Sequence, residues 1–140
     1  MYDIERINKI VKDIEEYFLR LQKLGLNKDN IEIDEKFFSA SMIIFTILNR
    51  MIDLAGEIIV KNAWGTPNTY EQYFEVLGKN GIIDKKLAEG LRKLVKDRNL
   101  FAHEYYEMQR KEVLRVSKDV YAVKDFVERI KKVVAKGCRK

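Results

Sequence analysis

Apolar residues recur every three or four positions along most of the chain, the period of an amphipathic α-helix. Ile4, Ile7, Val11, Ile14, Phe18 and Leu21 form one such stripe, with Asp3 ahead of it as an N-cap and Gly25 behind it as a stop signal. A second helix is predicted from a cap at Asp34 to about Asn62, with Phe37, Ser41, Ile44, Phe45, Leu48, Ile52, Ala55 and Ile59 in phase. Its other faces carry Phe38, Met42, Ile43, Ile47, Met51 and Ile58, so it is apolar over much of its circumference. A helix of that kind lies at the centre of a fold or faces a second chain.

The stretch Trp64-Gly65-Thr66-Pro67-Asn68-Thr69 is the one strong break, and Trp64 is expected to anchor that loop to the core. A short helix from Tyr70 to about Leu77 should follow, ended by Gly78 and Gly81. Asp84 then caps a third long helix, in which Leu87, Leu91, Leu94, Val95, Arg98 and Phe101 share a phase. A fourth, from roughly Gln109 to Val134, is marked by Val113, Val116, Val120, Val123, Val127, Ile130 and Val134. Without an internal repeat or a dividing linker, this predicts an all-α fold, a four- to five-helix up-and-down bundle over one domain, residues 1–140.

Composition narrows the classes. A chain of 140 residues can bury roughly two-thirds of its unfolded surface. The lone Cys138 allows no intrachain disulfide, no apolar run approaches the ~20 residues of a membrane span, and acids stand early in Met1-Tyr2-Asp3-Ile4-Glu5-Arg6 where a signal peptide is basic. A cytoplasmic setting is expected. One histidine and one remote cysteine cannot build a zinc site, so neither metal nor cofactor is expected. The net charge of +5 is uneven: residues 1–70 carry 9 basic against 11 acidic side chains, and residues 71–140 carry 18 against 11. A basic half attracts polyanions, and Arg110, Lys111, Arg115 and Lys118 are candidates to track an RNA backbone.

The candidate chemistry lies in Arg98-Asn99-Leu100-Phe101-Ala102-His103-Glu104-Tyr105, which holds the only histidine. Imidazole exchanges protons near neutral pH, and a guanidinium is a fork shaped for phosphate oxygens. Arg98 occupies a phase where a core leucine is expected, so it needs a partner or an opening to solvent. Asn99 and His103, four apart, share a helix face, whereas Arg98 and His103, five apart, lie about 140° apart on an unbroken helix. Either the helix unwinds before His103, or two chains supply the pair.

Four to five helices with Arg-Asn-x-x-x-His-x-Tyr after the third resemble the HEPN superfamily of small helical proteins, in particular its HepT-like toxin branch, over most of the chain. The resemblance implies a metal-independent endoribonuclease, the toxin of a toxin–antitoxin pair acting on tRNA or mRNA. Its site is composed across a homodimer, with Arg98 and His103 catalytic and Asn99 in support. It further implies a minimal nucleotidyltransferase antitoxin that silences the nuclease by adding AMP to the tyrosine two after the histidine, Tyr105, next to Tyr106. Glu104 departs from the small residue of that branch and sets a negative charge beside His103. Metal-free RNA cleavage needs a base, an acid and positive charge on the phosphorus. One histidine per chain is short of that requirement, and a twofold pair of chains meets it. Two other classes remain: a non-catalytic helical protein that docks a nucleotidyltransferase or binds a nucleotide, and a basic DNA binder, for which no helix-turn-helix spacing is evident.

Overall fold

The Asp3 carboxylate accepts a hydrogen bond from the Arg6 N–H at 3.0 Å and opens α1 (Ile4–Leu24), which ends where Gly25 turns to φ +56°, a left-handed conformation that glycine adopts without steric cost. This is a computed structural model that describes residues 1–104 and 109–138. Among these residues follow α2 (Asp34–Lys61), α3 (Tyr70–Lys79), α4 (Lys85–Glu104), α5 (Arg110–Asp119) and α6 (Ala122–Cys138), with a 3-10 turn at Asn30–Glu32 and no strand. The all-α expectation holds.

The near-continuous apolarity of α2 is explained by its place at the centre. It packs against α1, α3, α4, α5 and α6, and residues such as Ile44, Ile47, Leu48, Met51, Leu54 and Ile58 are fully buried among them. α1 supplies Ile7, Ile10, Ile14 and Phe18 to the same core, α3 supplies Phe74 and Leu77, and α6 supplies Phe126, whose ring meets Phe74 edge-on at 5.6 Å. Trp64 is partly buried against this core, as a loop anchor should be. The Leu87 N–H donates to the Asp84 carboxylate at 2.7 Å, confirming the expected cap of α4.

Two local readings are corrected. The helix expected over 109–134 is two helices, because the chain tightens after Asp119 into hydrogen bonds three residues long, Val123 N–H to Val120 and Lys124 N–H to Tyr121. No glycine or proline marks the corner. It is held by Tyr121, whose ring lies 5.2 Å from that of Phe18 on α1, a contact between residues far apart in sequence. The cap of α2 is Ile33 rather than Asp34, which is the first helical residue and is bonded instead to Arg110.

Candidate active site

Arg98 sits half-buried on α4 opposite the middle of α2, and its charge is partnered. Its Nε–H donates to the Asn49 side-chain oxygen at 2.7 Å, and Nη1 donates to the Asn99 side-chain oxygen at 3.2 Å. The guanidinium carbon lies 5.5 Å from the centre of the Phe45 ring and 5.2 Å from that of Tyr70, within cation–π range of both. Two amides thus fix the plane of the group, two rings cover its carbon, and the second Nη carries no bond to the described residues. A guanidinium held in this way can offer the N–H groups of its second Nη to an anion, with little rotamer entropy left to lose on binding.

Asn99, the next residue, meets Arg98 through its side-chain oxygen. His103 is exposed on the last turn of α4, which stays α-helical through Glu104. The helix therefore does not unwind before His103, and the two side chains leave one chain in directions about 140° apart. The Glu104 side chain, Tyr105 and Tyr106 lie outside the described residues. No group of His, Cys, Asp and Glu able to hold a metal ion occurs among the described residues.

One turn beyond Arg98 opens an apolar groove of about 420 Å³, lined by Phe38, Ser41, Met42 and Phe45 of α2 and Phe101 and Ala102 of α4. Phe38 and Met42 are 57% and 64% exposed, a large apolar outlay for a surface beside a charged site.

Of the basic residues beyond the motif, Lys111 and Lys118 are exposed. Arg110 donates to the Asp34 carboxylate at 2.6 Å and to the Ile31 carbonyl at 2.9 Å, over the Phe37 ring. Arg115 donates to the buried Asp97 carboxylate at 3.0 Å and to Asp119 at 2.9 Å. Those bonds, to Asp97 above all, hold its pKa above the usual guanidinium value. Asp97 immediately precedes Arg98, so this pair locks α5 to the part of α4 that carries the site.

The sequence of the chain over residues 7–131 matches the family model described as "Ribonuclease HepT-like". The chain belongs to this HepT-like family. It is 29% identical over 134 residues to a protein of Archaeoglobus fulgidus named as an RNase, covering 95% of this chain and 93% of that one. It is 33% identical over 57 residues to the mRNA nuclease HepT of Shewanella oneidensis, a match spanning 41% of this chain and 43% of the relative. Its fold superposes on the tri-AMPylated Shewanella oneidensis HEPN toxin, solved in complex with MNT antitoxin, with a TM-score of 0.84, 25% identity, and coverage of 94% of this chain and 99% of that one.

Within this HepT-like chain, three neighbours of the arginine escaped the reading of the motif: Asn49, Phe45 and Tyr70. None of them left a sequence signal: Asn49 stands among other polar residues of α2, Thr46, Arg50 and Asp53.

Proposed function

We propose that this protein is a metal-independent endoribonuclease, the toxin of a toxin–antitoxin pair, working in the reducing cytoplasm as a homodimer that cuts tRNA or mRNA. The observation that carries the proposal is the guanidinium of Arg98, fixed by Asn49 and Asn99 with its second Nη unbonded among the described residues, in a chain of the ribonuclease HepT-like family. The homodimer is supported by the exposed groove around Phe38 and Met42, which a second copy would cover, and by the unbroken helix that parts Arg98 from His103 within one chain.

In the proposed site, two Arg98 and two His103 side chains face one phosphate across the twofold axis. One His103 takes the proton of the ribose 2′-hydroxyl as its oxygen attacks phosphorus; the other gives a proton to the departing 5′-oxygen. The P–O5′ bond breaks, leaving a 2′,3′-cyclic phosphate and a 5′-hydroxyl. Arg98 carries the charge that builds on the phosphoryl oxygens, and Asn99 holds Arg98. Lys111 and Lys118 are the proposed backbone contacts. Arg110 and Arg115 are already spent on carboxylates of the fold, which narrows the basic set expected from sequence.

The regulatory partner proposed is a minimal nucleotidyltransferase that attaches AMP to Tyr105, supported by the modified Shewanella toxin crystallised with its MNT antitoxin. The Tyr105 hydroxyl would attack the α-phosphorus of ATP and release pyrophosphate. An added phosphate two residues beyond His103 would block RNA by bulk and by charge.

The test is incubation with end-labelled tRNA and mRNA in excess EDTA, beside Arg98→Ala and His103→Ala. Cleavage by the wild type alone, with cyclic phosphate ends, is expected. No cleavage by protein whose mass proves Tyr105 unmodified would favour a non-catalytic, transferase-docking role.

A further inference from the structure

Tyr70 is a large aromatic residue left 41% exposed at the start of α3, yet its ring is held from two sides. The Arg98 guanidinium carbon lies 5.2 Å from the ring centre, and the Tyr73 ring meets it edge-on at 5.5 Å and 87°. Tyr73 is itself partly buried against the core, beside Gly56 of α2. The backbone beneath is equally fixed: the Thr69 hydroxyl accepts from the Gln72 N–H at 3.2 Å, and the Gln72 side chain accepts from the Asn68 N–H at 2.9 Å. Local packing alone would bury such a ring or let it move. Here it is oriented and open, next to a guanidinium whose plane is fixed by two amides.

We propose that Tyr70 is a stacking platform for the nucleobase next to the phosphate seated on Arg98, so that the site takes an unpaired nucleotide. A base inside a duplex offers no free face, whereas an unpaired one stacks on an exposed aromatic with little regard for its identity. The contact between Tyr70 and Arg98 supplies the geometry: a phosphate on the fork brings its neighbouring nucleoside to the ring. This rests on the ribonuclease reading for its ligand and adds to it a specificity-determining residue on α3, an element outside the Arg-x4-His motif.

The experiment uses the full chain with unmodified Tyr105 and fluorescent 2′-O-methyl oligonucleotides, which bind without being cut, carrying either a normal or an abasic residue at each position in turn. Tyr70→Ala is expected to weaken binding roughly 5- to 150-fold, the range of one stacked base, and Tyr70→Phe to retain it. One abasic position should cost the wild type the same factor and cost Tyr70→Ala nothing further. If Tyr70 serves only to hold Arg98, the two losses multiply at every position, and the proposal is overturned. It is equally overturned if Tyr70→Ala binds within twofold of the wild type. The parallel cleavage assay separates the two readings. Tyr70-dependent binding with no cleavage would remove the nuclease and keep the platform, and His103-dependent cleavage indifferent to Tyr70 would do the reverse.

Discussion

Arg98 shows how a charged residue can take a core phase on a helix. Its position invites burial, and the cost of burying a guanidinium is met by hydrogen bonds to Asn49 and Asn99 and by the two rings beside it, with half-exposure doing the rest. Asn49 is the partner that sets its direction, and Asn49→Leu should misplace the guanidinium while keeping the apolar character of α2. We expect kcat on RNA to fall by ~10- to 100-fold, with the denaturation midpoint moving little. A loss of activity no greater than the loss of folded protein would assign Asn49 to the fold alone. The spacing Arg98, Asn99, His103 was legible in the sequence because it is local. Asn49, Phe45 and Tyr70 were not, because they reach Arg98 from α2 and α3, across tertiary contacts that no spacing records.

At the scale of elements, α1, α2 and α4 were legible because their stripes are long and their ends chemically marked, by Asp3 and Gly25 on α1 and Asp84 on α4. The division of α5 from α6 was hidden, since valines continue through it in phase and the corner is marked by tertiary contacts such as Tyr121–Phe18. The joint between α4 and α5 is the element-scale feature most relevant to the site. Asp97, 5% exposed, meets Arg115 there, and Arg115→Ala would leave that carboxylate without its cation. Breaking a pair of this kind costs about 1–3 kcal/mol, less than for a fully buried one because Arg115 itself is 40% exposed. Urea denaturation should register that loss, and an unchanged midpoint would mean that the pair is immaterial to the joint.

Over the whole molecule, the basic half, residues 71–140, contains α4 with Arg98 and His103, and the exposed groove lies between α2 and α4. The apolar breadth of α2 left open whether it was central or faced another chain. It is central, and the exposed Phe38 and Met42 remain for the second role, which is the homodimer proposed. Met42→Glu puts a charge into the middle of that groove, and sedimentation equilibrium should find it monomeric and unable to cleave RNA. A Met42→Glu protein that stays dimeric would move the interface elsewhere.

The central claim is that two chains build one catalytic site. Wild-type protein and His103→Ala, mixed in equal amounts and allowed to exchange subunits, form homodimers and mixed dimers in statistical proportion. If both His103 side chains act on one phosphate, only wild-type homodimers cleave, and activity falls to about a quarter of that of the same total amount of wild type. Activity of about half would mean that each chain cuts on its own, and would contradict the composite site.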